Sequence, residues 1–190
     1  MRAKLWQLKN TPPMGGVLYS FARMPSLSIR TVPDPLLKHP TRLVERVDGA
    51  VVKLVDAMIA TMRRHPRCVG LAAPQVGSHL RLAVMDATGH PKARASSGLL
   101  VLVNPQIEAA EGAALQREGC LSIPDFTGNV WRATRLRLRA VDRSGRPYAC
   151  WLEGFEAVIA QHEVDHLEGR LFLDRLANAK ADLFPRKTYY

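Results

Sequence analysis

Cysteine is scarce in this chain of 190 residues: Cys68, Cys120 and Cys150 form an odd set with no regular spacing. That excludes the disulfide framework of a small secreted protein. No secretory apolar segment opens the chain, so a reducing compartment is expected, with bacterial cytoplasm first and an organelle of bacterial descent second. No apolar run approaches the roughly 18 residues of a membrane helix, so no membrane span or membrane partner is expected. Residues 1–25 contain no acidic group and carry Pro-Pro and Gly-Gly breakers. They are expected to be a poorly ordered extension, with residues 26–178 the folded domain and 179–190 a C-terminal tail.

What remains is 47% hydrophobic and 23% charged, the composition of a globular domain with a core of its own. The formal charge of +10 suggests an acidic neighbour, nucleic acid first, although charge speaks to association and not to fold. No DNA partner is expected. "DGAVVKLVDAMIATMRRH", from Asp48, predicts an amphipathic helix: apolar residues recur at three and four, Asp48 can cap the start, and arginines fill the last turn. "LSIR" (27–30), "LRLAVMD" (80–86) and "LLVLV" (99–103) predict strands, and "TGHPKARASSG" a loop. "TRLRLRAVD" alternates Leu136, Leu138 and Ala140 with Arg135, Arg137 and Arg139, then turns through "RSGRP" into "YACWLEG", a hairpin pattern. The fold class predicted is α+β: a small single domain with antiparallel sheets packed around a central helix.

That helix is "GFEAVIAQHEVDHLEG". Phe155, Val158, Ile159, His162 and His166 share one stripe, so the two imidazoles lie one turn apart where one divalent metal can bridge them. Glu163 sits about 100° further round, near the site without being forced to ligate, as a general base requires. Two hydrogen-bonded core histidines would be the bland alternative; the intervening glutamate argues against it. Familiar downstream third ligands are missing. Phe172 occupies one position where a histidine would be sought, and Arg186 falls where a glutamate would be.

Upstream, "REGCLSIP" offers Cys120 beside a glycine and before a strand-like "LSI". Two neutral imidazoles and a thiolate leave a net +1 on a divalent ion and one position open to water. "VGLAAPQVG" (69–77) is rich in small residues, which permits a peptide to lie against it as an added strand. Gln75 there carries an amide able to donate to a developing oxyanion.

"CVGLAAPQ", "EGCLS" and "HEVDH", in this order, resemble the motifs GxGxAAxQ, EGCxS and HExxH of the peptide deformylases. The resemblance runs from about Leu27 to Leu176. It implies one divalent metal per chain held by Cys120, His162 and His166, usually Fe(II), with Zn, Ni or Co accepted. It implies that Glu163 is the acid/base and that Gln75 and the Leu121 N–H hold the oxyanion during removal of formate from N-formylmethionyl nascent peptides. By carry-over, Gly70 pairs with the peptide backbone, and Val69, Phe155, Val158 and the His162 ring line the methionine pocket. A Glu118–Arg132 ion pair is expected behind the site. Two positions depart from the pattern: Cys68 replaces its first glycine, and Trp131 replaces a proline after "SIP".

Two rival readings stand beside this one. A metallo-endopeptidase of the HExxH type would cleave unformylated internal bonds. A basic ribosome- or RNA-associated protein with a degenerate site would rely on Arg135, Arg137, Arg139, Arg143 and Arg146. The same basic surface would let a deformylase dock on the ribosome.

Overall fold

In the computed structural model, residues 26–176 and 178–187 are described; the expected extension, 1–25, lies outside them. Two strands set the architecture. β2 (Leu82–Met85) is buried at every position, and β3 (Leu100–Glu111) at its first four. Leu82, Val84, Val101 and Val103 join one core, whereas Ala83, Met85, Leu100 and Leu102 join another. A sheet that is apolar on both faces needs a cover on each, and two helices supply it.

α1 (Gly49–Arg64) covers the first face with Val51, Val55, Met58, Ile59 and Met62. Asp48 starts it by accepting from the Ala50 and Val51 N–H groups, each at 2.9 Å. Such a cap is worth about 1 kcal/mol. α2 (Phe155–Leu167) covers the second face with Ala157, Ile159, Ala160, Val164 and Leu167. The short side chains of Ala72 and Ala83 share that core and let the helix approach the sheet closely.

The first sheet runs β1 (Gly70–Ala72), β2, β3, β6 (Arg135–Val141), β7 (Pro147–Glu153), with all neighbours antiparallel. β1 is thus an edge strand. The second sheet joins β4 (Ala114–Cys120), β5 (Ile123–Arg132) and β8 (Leu183–Pro185) over a small core of Leu37, Cys120, Ile123, Val130, Leu171 and Phe172. The predicted α+β class, the helix from Asp48, the loop after Asp86 and the arginine-striped hairpin are all present.

Three local expectations differ. Leu27–Arg30 is extended but forms no strand. Its hydrogen bonds go to separate elements, Leu27 N–H to Thr61 Oγ1 and Arg30 N–H to Gln75 O, so no ladder builds. Leu121 and Ser122, expected to begin a strand, form the turn between β4 and β5, so Cys120 closes a strand instead of preceding one. Residues 179–185, placed in the expected tail, fold back: α3 (Ala179–Asp182) leads into β8, which pairs with Phe126–Gly128 of β5.

Candidate metal centre

α2 carries His162 and His166 towards the end of β4, where Cys120 stands. The ligand atoms of the three lie within 4.8 Å of one another, the only such trio of donors among the described residues. Cys120 Sγ is 3.2 Å from His166 Nε2. His162 Nδ1 lies 2.8 Å from Glu118 Oε2, which fixes the proton on Nδ1 and leaves Nε2 to the site. Glu118 in turn accepts two bonds from Arg132, at 2.6 and 3.0 Å, and Arg132 donates a third to Asp165 at 2.6 Å. Arg175 joins Asp165 from outside. The side chains of Glu118, Arg132 and Asp165 are 4–5% exposed, so this charge network is dry.

The electrostatics favour a ligating thiolate. Burial opposes ionisation of Cys120, but the His166 and His162 rings outweigh it and hold the thiol well below its usual range. Burial likewise opposes charge on Glu118, yet His162 and Arg132 hold it down at about 2. Glu163 goes the other way: burial raises it to about 7 against the pull of the two histidines. Its Oε2 is buried without a hydrogen-bond partner, as is His166 Nδ1. One thiolate and two imidazoles converging from rigid elements fit a divalent transition ion with three protein ligands and an open position.

The other wall is the free edge of β1. Val69 O accepts from Asp86 N–H on the β2 side, so the polar groups of Gly70 face away from the sheet. A Cβ on Gly70 would lie 2.2 Å from Glu163 Oε1, so only glycine lets the edge and the carboxylate approach this closely. Gln75 Oε1 accepts from Ala72 N–H at 2.9 Å. That fixes the amide so that Nε2 donates to Cys120 Sγ (3.3 Å) and Ser122 Oγ (3.1 Å). Val69 and Phe155 pack on the α2 core, and Val158 is buried on the same helix. Leu121 lies in the turn directly after Cys120.

Cys68 does not take a positive φ; the left-handed residue is its neighbour Arg67, at +64°. The Cys68 thiol donates to Gly70 O at 3.2 Å, and burial, then Glu163, pushes it up to about 12. Trp131 is 61% exposed opposite Leu115, while Arg132 beside it points inward.

Several functional neighbours escaped the sequence reading. Asp165 stands inside HEVDH, and an acid buried in an apolar helix was its only signal. The loop after Asp86 reaches the site too: His90 stacks on Phe155 at 4.5 Å, Lys92 Nζ donates to Arg117 O, and Glu156 accepts from Ser97 N–H. The arginine row is paired with acids. Arg135 meets Glu111 and Glu153, Arg137 and Arg139 share Glu108, Arg143 meets Asp56, and Arg146 meets Asp142.

Known proteins resemble this chain over most of its length. The family model described as polypeptide deformylase matches residues 26–182. A peptide deformylase of Syntrophobacter fumaroxidans is 44% identical over 164 residues, 86% of this chain and 94% of that protein. The crystal structure of a peptide deformylase from Legionella pneumophila superposes with a TM-score of 0.74 at 39% identity, covering 82% of this chain and 89% of that one. A class I type b peptide deformylase from Acinetobacter baumannii, solved with Met-Ala-Ser bound, gives 0.74 at 34% identity over 80% and 99%. This chain therefore belongs to the polypeptide deformylase family, metal-dependent hydrolases that remove the formyl group from the N-terminus of newly made polypeptides.

Proposed function

We propose that this chain deformylates N-formylmethionyl peptides with Cys120, His162 and His166 holding one divalent ion and Glu163 moving the proton. The placement of Glu163 carries this reading: a buried carboxylate whose Oε2 has no partner, beside two imidazoles and a glycine edge, with its pKa raised to about 7. When bound, the ion supplies Lewis acidity, which lowers the pKa of a water and polarises a carbonyl.

The chain's own residues do the rest. Gly70 on the β1 edge pairs with the peptide backbone and brings the formyl carbon beside Glu163. Val69, Phe155 and Val158 take the methionine side chain. Glu163 accepts the proton of the attacking water and later gives it to the departing amine, so formate and a free N-terminus leave. The Gln75 Nε2–H and the Leu121 N–H donate to the oxygen that gains charge. For this, Gln75 exchanges its bond to Cys120 or Ser122 for one to substrate.

Iron(II) is the ion we assign from the family resemblance; zinc, nickel or cobalt suits the same donors. The Met-Ala-Ser held by the Acinetobacter relative is what a formyl-Met-Ala-Ser substrate would leave behind. The test is anaerobic purification, metal quantification and formate release from formyl-Met-Ala-Ser, beside Glu163→Ala. About one metal per chain and a 10²–10⁴-fold fall in the variant are expected. Cleavage of unformylated peptides would instead support the endopeptidase reading. We place the work in a bacterial cytoplasm, where formylated chains emerge; among the described residues no helix is long and apolar enough to cross a membrane. Docking on the ribosome is a separate proposal resting on the net charge, since the arginine row is paired with carboxylates. Ribosome pelleting that weakens steeply with salt would support it.

A further inference from the structure

We propose that Arg186 is a positioning residue, which reaches from the end of β8 to fix and polarise the Cys120–Leu121 peptide. The inference rests on the reading above that the Leu121 N–H serves the oxyanion. Arg186 lies outside the segment that matches the family, 26–182. Its place is set by β8. Phe184 stacks under the Arg117 guanidinium at 3.4 Å, Leu183 packs on the core beneath the second sheet, and Arg186 N–H donates to Asp125 O at 2.7 Å.

From there, Nη2 donates to Cys120 O at 3.0 Å and reaches Ile123 O at 3.5 Å, the residues on either side of the Leu121–Ser122 turn. Gly119 makes room: a Cβ there would lie 2.8 Å from Nη2. The guanidinium stays at the turn although its Nε is buried without a partner, a cost that turning to solvent would relieve.

A trans peptide turns its C=O and the following N–H in opposite directions. A donor fixed on Cys120 O therefore fixes the aim of the Leu121 N–H on the far side of the same plane. Because the donor is a cation, it also draws electron density across the amide and makes that N–H a stronger donor, an effect that low local dielectric preserves. Arg186 thereby couples β8 to the loop that carries both the thiolate and the oxyanion donor.

The experiment compares Arg186→Ala, Arg186→Gln and Arg186→Lys in the full chain, with metal content, kcat, KM and the Leu121 amide ¹⁵N shift of the zinc-loaded protein. Losing an oxyanion donor outright costs about 10²–10³ in kcat, so losing only its aim and polarisation is expected to cost about tenfold. KM and metal stoichiometry should hold in Arg186→Ala and Arg186→Gln, the Leu121 ¹⁵N resonance should move upfield, and Arg186→Lys should restore most of kcat. A loss confined to KM or metal content, or an unmoved Leu121 resonance, would overturn the proposal. If Arg186→Ala does not fold, the Gln and Lys variants decide on the same readouts. A wild-type chain that releases no formate would defeat the deformylase reading, while the Leu121 shift would still report on the clamp.

Discussion

On one side of the site, His162 and Cys120 rest on a dry lattice of charges; on the other, Gly70 and Cys68 rest on short backbone contacts and one neutral hydrogen bond. The ligand wall is overdetermined. Glu118 is gripped by Arg132 and His162 together, and Arg132 is gripped by Glu118 and Asp165. The peptide wall is an edge strand of three residues with its acceptor turned outward. Ligands must stay in place before any substrate arrives, whereas an edge must accept a new strand and release it. The two regions are thus stabilised according to what each must not do.

Removing one member of the lattice gives the largest expected effect. Arg132→Ala leaves buried Glu118 with His162 alone and buried Asp165 with only its outer arginines, and breaking a buried ion network in this way costs about 3–5 kcal/mol. Chemical denaturation of the metal-loaded protein should show it, and metal affinity should fall as Glu118, the partner that orients His162, loses its own support. A loss below about 1 kcal/mol would mean that water enters the network and that the wall is not dry.

The opposite wall should fail in activity and not in stability. In Gly70→Ala the new methyl group meets Glu163 Oε1 at 2.2 Å and Ile159 Cγ2 at 3.0 Å. The carboxylate must move by the order of 1 Å, which costs about 10²-fold in kcat. Metal content should be retained. Equal activity in the two proteins would show that Glu163 is not held against the edge when it works.

The same contrast explains what the sequence made legible. The metal wall announces itself because its chemistry is local: two histidines one turn apart with a glutamate between them, and a cysteine beside a glycine. Its support is not local. Asp165 shares the helix with the histidines, but its partners Arg132 and Arg175 come from β5 and from the turn at Phe172–Arg175. Arg186 reaches the ligand loop only because β8 pairs with β5, which no short periodicity in the last dozen residues announces. Leu121–Ser122 reads as strand by residue type, yet Cys120 pairs with Ile123 across it and makes it a turn. Long-range pairing overrode local preference there.

A smaller effect lies at the outer margin of the ligand wall. Burial opposes charge on Asp174, but Lys38, with its Nζ 2.6 Å away, and the Leu171 N–H hold its carboxyl below the ordinary value. A depressed folded pKa stabilises above the unfolded value of about 3.9 and loses that stability as pH falls through the folded pKa. The Asp174 side chain is 36% exposed, so screening limits the gain to about 1 kcal/mol at most. Asp174→Asn should therefore lower stability at pH 7, and the gap to wild type should narrow as pH falls below the unfolded value of about 3.9. A gap that stays constant down to pH 2 would remove the carboxylate from the account.

The finest test falls on Cys68, where the chain departs from the first glycine of the GxGxAAxQ motif it resembles. The thiol stays protonated at neutral pH because burial, then Glu163, pushes it up to about 12, so its S–H remains on Gly70 O. A substrate amide N–H that pairs with the β1 edge competes with that bond for Gly70 O. Cys68→Ala removes the competitor, and KM for formyl-Met-Ala-Ser should fall about threefold with kcat unchanged, an effect of about 0.6 kcal/mol. Cys68→Ser supplies a stronger donor and should raise KM. A higher KM in Cys68→Ala would reverse the sign: the thiol would then belong to the binding surface, and the peptide wall would be preorganised in its own right.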